Sequence, residues 1–313
     1  MFDEDSPGQR VVFSVSDDFE HWSAPAIVAE PSKAANGIQN VLTAAGLYQF
    51  NGTLVAYYGA YEKNRTHTKL WAKTSTDGRH WSKPIDMHIP LIPNYGPEEI
   101  KNGRLIISGN FSFPYTEDPT GLSGWKMTCF YPDSLYTQDN EATFYKPAEK
   151  LGLPPLCEGS FFQTDDNVIH MLLRVTGKGW KGKLWLTESR DNGSSWSRPV
   201  ETAFTDNDSK FHFGRLPDKR YYYVGIPDTV HHYERNPLVL AISTNGRSFD
   251  RQYIIADEPY RLKTKGLYKG GQYGYPHTLV WKGYMYVIIS RQKEAIEVIR
   301  FKRDQLNSDI PGH

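Results

Sequence analysis

The sequence has few cysteines, no net charge and no long apolar run. Its 313 residues include two cysteines, and 36 basic residues balance 36 acidic ones. Without an excess of positive charge, binding to nucleic acid or to a membrane surface has no electrostatic support. No apolar run approaches the roughly 20 residues needed to span a bilayer. We therefore expect neither nucleic acid nor a membrane as a partner.

The scarcity of cysteine leaves the cellular compartment open. A disulfide between Cys129 and Cys157 requires an oxidising compartment, and two buried thiols fit the sequence equally well. The first ten residues, MFDEDSPGQR, lack the basic and then apolar form of a signal peptide. We expect a protein that is secreted or periplasmic after processing, with a cytoplasmic protein as the alternative.

Long amphipathic helical patterns are also missing, and a short turn motif recurs instead. Its full form, S-x-D-x-G-x-x-W, occupies residues 189–196. Related copies begin at Ser16, Ser75 and Ser243, the last with Asn245 for Asp and Phe249 for Trp. We expect the Asp to accept backbone N–H bonds, the Gly to supply a positive φ, and the Trp to lie between sheets with its N–H paired.

The spacing of these turns predicts a repeat of about 57 residues. The serines at 16, 75, 189 and 243 are separated by 59, 114 and 54 residues, and a degenerate copy fits the double gap at 131–134. A second series of tight turns keeps the same period, each between two apolar runs, which indicates hairpins. Those turns are Asn51-Gly52, Asn102-Gly103, Asp165-Asp166-Asn167, Pro217-Asp218 and Lys282-Gly283.

Two hairpins in each repeat predict an all-β fold, a β-propeller of four-stranded antiparallel blades forming one domain over residues 1–313. Blades are expected to begin near residues 37, 92, 157, 210 and 273, after an opening outer hairpin at 10–29. Since 295–302 reads as a third strand of its own blade, that opening hairpin lacks inner strands. Six blades are therefore favoured, with five or seven as alternatives.

The turns resemble the Asp boxes of the sialidase (neuraminidase) superfamily of propellers, over nearly the whole chain. Family members open a blade with a Glu, matched by Glu158, and carry an Arg at the end of that blade's second strand, matched by Arg174. A further Arg before the third strand of the next blade matches Arg235, and a Tyr on the first strand of the last blade matches Tyr273 or Tyr275. In sialidases three arginines clamp the substrate carboxylate, and the Tyr is the nucleophile with the Glu as its base.

The chain departs from the sialidase pattern in two places. The family's first arginine lies on the opening strand of a blade, where this chain has Gln39. The family's catalytic Asp, in a following loop, has no clear counterpart at 61–65. Both departures leave room for a different reaction on the same kind of sugar.

Two segments, FHFGRLPDKRYYYVG and GYPHTLVWKGYMYVIISRQKEAIEVIRF, resemble sialidase-related propellers that release L-rhamnose from glucuronate, described as lyases and earlier as hydrolases. β-Elimination beside a uronate requires cations that neutralise the carboxylate, together with a base and an acid near C5. The candidate clamps are Arg174, Arg215, Arg235 and Arg291, with Gln39 and Tyr273 as further substrate-binding candidates. The candidate proton carriers are His212, Tyr275 and His277, with Glu158 as a further catalytic candidate.

The favoured interpretation is an enzyme that acts on a glycan with a carboxylate sugar, an L-rhamnose-α-1,4-glucuronate lyase. The alternatives are an exo-α-sialidase and a glycan-binding propeller without catalysis. No cofactor and no metal site are predicted, and a structural Ca²⁺ among loop carboxylates stays open.

Overall fold

The computed structural model describes residues 6–34, 37–63, 65–131, 145–266 and 269–307. Within these ranges the chain forms twenty β-strands, one α-helix (α1, Tyr145–Lys150) and two short 3₁₀ segments, Gly177–Gly179 and Arg303–Asn307. No helix in the described ranges is long and apolar enough to cross a membrane. The chain divides into two compact units, residues 1–203 and 204–313.

The strands of the described residues form six sheets, in which each strand pairs with the next along the chain. In the first unit, the first sheet contains β1 (Val11–Phe13) and β2 (Ala26–Ala29), and the second contains β3 (Val41–Phe50), β4 (Thr53–Tyr61), β5 (Lys69–Ser75) and β6 (Ile85–Asp86). The third sheet contains β7 (Glu98–Glu99), β8 (Leu105–Ile106) and β9 (Tyr115–Thr116). The fourth contains β10 (Leu156–Gln163), β11 (Ile169–Val175), β12 (Lys183–Ser189) and β13 (Val200–Thr205), and β13 ends just past the unit boundary. In the second unit the sheets are β14 (His212–Arg215), β15 (Tyr221–Gly225), β16 (Leu238–Ser243) and β17 (Arg251–Ala256); and β18 (Gly274–Trp281), β19 (Tyr284–Arg291) and β20 (Ala295–Lys302).

The all-β fold and its antiparallel four-stranded sheets are confirmed. The five predicted tight turns each join the first and second strands of a sheet, as at Phe50↔Thr53 and Trp281↔Tyr284. One expected boundary is wrong, because the inner strand predicted to begin at residue 37 begins at Val41. Three sheets have fewer than four strands in the described ranges, and the number of blades stays a prediction.

Hydrophobic packing joins consecutive sheets within each unit. In the first unit, β1 and β2 pack on the second sheet, the second sheet packs on the third, and the third packs on β10–β13. In the second unit, β14–β17 pack on β18–β20 through a core that includes Val224, Leu240, Met285 and Val287. Strands β15 and β16 are buried along their whole length, so both of their faces pack against other side chains.

The repeated turns have the hydrogen bonds that the motif predicts. In the copy at 189–196, the Ser189 hydroxyl donates to Asp191 Oδ1 at 2.8 Å, and Asp191 Oδ1 accepts the N–H of Ser195 at 2.9 Å. The same pattern recurs at Asp18, Asp77 and Asn245. Asn245 replaces Asp without loss because an amide oxygen accepts the same N–H bonds.

The aromatic position of the motif is less uniform. Trp196 donates its N–H to Thr128 Oγ1 at 3.0 Å and packs against Phe113, as expected. Trp22 contradicts the expectation, because 46% of its surface is exposed. The predicted degenerate copy at 132–134 lies outside the described residues.

We predict that Asp191→Ala lowers the free energy of unfolding by about 1–2 kcal/mol, because several hydrogen bonds to its carboxylate are lost. Burial by itself raises the pKa of Asp191, but hydrogen bonds from Ser195 and Ser189 outweigh it and lower the pKa. The difference between wild type and variant should therefore be complete above about pH 4 and shrink as the pH falls further. Urea unfolding at several pH values measures it.

Asp250→Ala is the matched control, since this exposed Asp follows the turn at 243–249. It should change stability by less than about 0.5 kcal/mol. Equal effects of the two substitutions would show that the turn hydrogen bonds add nothing to stability.

Candidate active site

Two of the candidate catalytic residues lie at irregularities in the first strand of a sheet. In β10 the register with β11 shifts between Cys157 and Ser160, and Glu158 within this bulge has φ 54°. In β18 the register with β19 shifts between Gly274 and His277, and Tyr275 has φ 56°. A bulge redirects a side chain out of the strand alternation, and such strained positions are frequent at functional sites.

In the first unit, Glu158 forms an ion pair with Arg174. Glu158 Oε2 lies 2.5 Å from Arg174 Nε, and the two side chains are 16% and 10% exposed. Arg174 is the penultimate residue of β11, and its Cα neighbour across the hairpin is Cys157. The hairpin therefore brings the two residues together at its open end, and the roles that the resemblance implied for them stay predictions.

In the second unit, His212 is buried and linked to two hydroxyl groups. Its neighbours Phe211 and Phe213 point into an aromatic cluster with Tyr223, so strand alternation sends the imidazole to the other face. There Nδ1 lies 2.7 Å from Thr278 Oγ1, which lies 2.7 Å from the Tyr222 hydroxyl. Burial, with a smaller effect of His277, lowers the pKa of His212 well below its ordinary value, so the ring is neutral at pH 7.

His277 lies against His212 and is also neutral. The two ring centroids are 4.5 Å apart in an edge-to-face arrangement. Burial and the nearby Lys210 ammonium lower the pKa of His277 to about 4. A neutral imidazole can accept a proton at neutral pH without first losing one.

Tyr275 lies between two cations. Its ring centroid is 5.2 Å from Lys210 Nζ and 5.1 Å from Lys293 Nζ. Because Lys210 also acts on His277, one ammonium group faces both of these candidate proton carriers. Such a cation can neutralise a substrate carboxylate beside them.

Arg235 is buried in the second unit and only partly paired. Its side chain is held by the Asp208 carbonyl, to which Nη2 donates at 2.7 Å, and its backbone N–H donates to Asn207 Oδ1. Arg235 is 7% exposed, and Nε has no hydrogen-bond partner in the described part of the chain. A Cβ at Gly271 would lie 2.6 Å from Arg235 Cδ, so this glycine leaves room for the side chain. The guanidinium is thus fixed in place, and its Nε is buried away from solvent.

Arg291 and Tyr273 contact each other and neighbouring backbone groups. The three guanidinium nitrogens of Arg291 donate to the Gln272 and Glu258 carbonyls and to Glu297. Its guanidinium carbon lies 4.3 Å from the centroid of Tyr273, whose hydroxyl donates to the Glu258 carbonyl. Three of the five guanidinium N–H donors are used within the protein, and the role of Arg291 as a clamp stays a prediction.

Arg215 and Gln39 are not brought together with the other candidates. Arg215 pairs with Tyr221 at the turn end of the β14–β15 hairpin, three residues from His212, which is about 10 Å along a strand. Its Nε donates to the Lys219 carbonyl in that turn. Gln39 is exposed and bridges to Lys33 before β3 begins, so it does not lie on the opening strand as predicted.

Sequence reasoning missed several polar residues around these sites. Lys210 lies two residues before His212, and strand alternation could have found it. Thr278 and Tyr222 become neighbours only through packing of two sheets, which no local pattern predicts. Glu98, on β7, was also missed: burial raises its pKa to about 8, so this carboxyl is largely protonated at pH 7.

The Asp-box turns and the antiparallel sheets agree with comparison to known families. The profile of the BNR repeat-like domain matches residues 3–287. The chain belongs to this family. No curated protein matches the sequence.

Solved structures show the same fold at low sequence identity. A protein of unknown function from Dyadobacter fermentans is 17% identical with a TM-score of 0.62, and the match covers 94% of this chain and 84% of that one. A Hadza microbial sialidase is 14% identical (TM-score 0.67, 95% and 60% coverage). Trypanosoma rangeli sialidase, as a covalent intermediate with 2,3-difluorosialic acid, is 15% identical (TM-score 0.63, 97% and 50% coverage). The chain thus spans 60% and 50% of the lengths of these two sialidases.

We predict that Arg174→Met destabilises the protein by about 3 kcal/mol, because it leaves the Glu158 carboxylate buried without its counter-charge. The double variant Glu158→Gln/Arg174→Met should recover most of this loss. Urea unfolding of the two single variants, the double variant and the wild type gives the coupling energy.

Lys69→Met is the control for this cycle, because the Lys69–Asp86 ion pair is more exposed, with side-chain exposures of 51% and 23%. Its loss should cost less than about 1 kcal/mol. A coupling energy near zero for Glu158 and Arg174 would contradict the role given to their ion pair.

Proposed function

We propose that the protein is a lyase acting on a glycan that ends in a sugar 4-linked to a uronate. The observation that carries this is the pair of neutral imidazoles, His212 and His277, beside Tyr275 and the Lys210 ammonium in the second unit. β-Elimination needs a cation for the carboxylate and two groups that move protons, and this cluster supplies both.

The reaction is balanced without water. A base removes the C5 proton of the uronate, and the electron pair forms the C4–C5 double bond. The C4–O4 bond breaks, and the leaving sugar takes O4 with a proton from an acid. The products are a free sugar, such as L-rhamnose, and a 4,5-unsaturated uronate. Neutralisation of the carboxylate makes the C5 proton removable, because negative charge develops next to it.

The roles follow from the geometry within the second unit. Tyr275 and His277 are the two proton carriers, one taking the C5 proton and the other supplying the proton to O4. Lys210 and Arg235 are the carboxylate ligands. His212 positions His277 by ring contact and is itself held through Thr278 and Tyr222.

A second candidate function is exo-sialidase activity. The Glu158–Arg174 ion pair at the β10 bulge, buried Arg235 and Tyr275 match the residue types that sialidases use. Two similar structures are sialidases by name, which supports a carboxylate sugar as substrate. The two functions share the substrate class and differ in the reaction.

Product analysis distinguishes the two functions. We predict that a rhamnose-capped glucuronate oligosaccharide yields free rhamnose and the ultraviolet absorbance of an unsaturated uronate. Tyr275→Phe and His277→Gln should each lower kcat at least about 100-fold, because each removes a proton carrier. Tyr284→Phe, on the turn end of the same sheet, is the matched control and should leave kcat unchanged.

A fluorogenic sialoside is the competing substrate in the same experiment. Its hydrolysis without formation of an unsaturated product would replace the lyase by the sialidase. Inactivity towards both substrates would refute both enzyme functions and favour a glycan-binding propeller.

The charge of Lys210 leads to a prediction about the pKa of His277. Since it disfavours the imidazolium form, Lys210→Met should raise the pKa of His277 above its value of about 4. The acid limb of the kcat/KM profile should then move to higher pH, because His277 must be neutral to act. The C2 proton of His277, followed by NMR, reports the same titration without turnover.

Lys293→Met is the control, because Lys293 lies near Tyr275 but does not contribute to the shift at His277. This substitution should leave the pKa of His277 unchanged. An unchanged His277 pKa in Lys210→Met would remove Lys210 from the proposed site.

A further inference from the structure

The first unit contains a cavity that none of the candidate catalytic residues lines. Its volume is about 340 Å³, at the lower end of the usual range for small-molecule sites. It lies between the outer strands β12 and β13 and the loops that follow α1 and β11. The lining residues that can recognise a ligand are Trp185, Lys181, Lys183 and Glu201.

Trp185 forms an aromatic wall of this cavity. It is half-buried in β12, packs against the core of the first unit and faces Leu173 across the strand pair. No hydrogen bond to its indole N–H is formed among the described residues. A fixed indole offers a flat apolar surface to the C–H face of a sugar ring, and its N–H can bind a hydroxyl.

The charged groups around the cavity have a net positive charge. Lys183 Nζ donates one bond to the Ala203 carbonyl at 3.3 Å, and an ammonium has three donors, so two can serve a ligand. Lys181 and Glu201 are exposed, and within the described ranges neither forms an ion pair or a side-chain hydrogen bond. Two cations and one carboxylate favour an anionic ligand that also has hydroxyl groups.

Backbone packing fixes the shape of the cavity. A Cβ at Gly179 would lie 2.5 Å from Pro155 Cδ, so the loop after β11 can approach Pro155 only with a glycine there. The Thr176 N–H donates to the Pro155 carbonyl at 3.2 Å and closes the same loop. The wall is therefore formed before any ligand binds, which lowers the entropic cost of binding.

The cavity opens at the end of the sheet that holds the Glu158–Arg174 ion pair. Val175, the last residue of β11, lines it, and Arg174 is the preceding residue. Successive strand residues point to opposite faces, so Arg174 and the cavity lie on different faces of this sheet. A glycan that reaches this end of the sheet could thus contact the cavity with a separate sugar residue.

We propose that the cavity is a second glycan-binding site, which takes a hexuronate residue. Lys181 and Lys183 bind its carboxylate, Trp185 stacks on the ring, and Glu201 accepts a hydroxyl proton. The choice of a uronate rests on the proposed function, whereas binding itself can be measured without turnover.

Calorimetry and saturation-transfer NMR of the full chain with methyl β-D-glucuronide test the proposal. Lys181→Ala and Glu201→Gln, both on exposed side chains that do not affect folding, should each weaken binding by about fivefold. Trp185→Phe should weaken it as well and remove the strongest transfer to the sugar C–H protons. Methyl β-D-glucoside, which lacks the carboxylate, should bind more weakly than the glucuronide.

The matched control is Lys282→Ala, because Lys282 Nζ lies 4.3 Å from the ring centroid of Trp281, a Lys–Trp pair that does not line the cavity. It should leave the affinity unchanged. Equal affinity for methyl β-D-glucoside and methyl β-D-glucuronide would show that the site does not recognise the carboxylate. Tighter binding of N-acetylneuraminate than of the glucuronide would overturn the assignment of a hexuronate as the ligand.

A fifth variant, Arg235→Lys, separates this site from the candidate catalytic residues. If Arg235→Lys loses binding and Lys181→Ala does not, the sugar binds at the candidate catalytic residues, and the second site is overturned. Weakened binding in Lys181→Ala supports the second site even where the rhamnose-capped substrate is not cleaved. Cleavage with unchanged binding in Lys181→Ala would retain the proposed function and reject the second site.

Discussion

Strand alternation is the constraint on which the candidate site of the second unit depends. Phe211 and Phe213 enter an aromatic cluster on one face, and the backbone therefore sends His212 to the other. A buried imidazole must be neutral or paired, because burial disfavours its charged form. His212 satisfies both conditions: its pKa lies well below the ordinary value, and Nδ1 contacts Thr278. The packing that stabilises the sheet thus also prepares a neutral histidine.

At two β-bulges, the side chain of one residue departs from this strand alternation. Glu158 and Tyr275 both have a positive φ, which costs a non-glycine residue roughly 1–2 kcal/mol. Such a conformation persists only where the surroundings impose it, and long pairing with the second strand on the turn side of each bulge does so. Glu158 then meets Arg174, and Tyr275 lies between Lys210 and Lys293. The strained backbone thus occurs at two polar residues whose side chains must point away from the hydrophobic core.

The sequence predicted the features that depend on local chemistry. Turns such as Asn51-Gly52 and the Asp boxes are encoded within a few residues, so the hairpins and their hydrogen bonds could be predicted. The exposure of Trp22 depends on what packs beside its turn, which the motif does not contain. Arg235 and Arg291 look alike beside their strands, and only the tertiary contacts show that the nitrogens of Arg291 are occupied. The link of His212 to Tyr222 through Thr278 crosses two sheets and has no signature in the chain.

The fold alone does not choose the reaction, since related propellers can carry different chemistry. The charged groups favour one class of substrate, because the cations near Tyr275 and the arginine Arg235 suit a carboxylate sugar in either reaction. The two reactions differ in the groups that must transfer protons. A hydrolase with a tyrosine nucleophile needs a base for the tyrosine and a water, whereas elimination needs a base for the C5 proton, an acid for O4 and a cation for the carboxylate. The contacts His212–His277, Lys210–Tyr275 and Lys210–His277 in the second unit are those on which the proposed elimination is built.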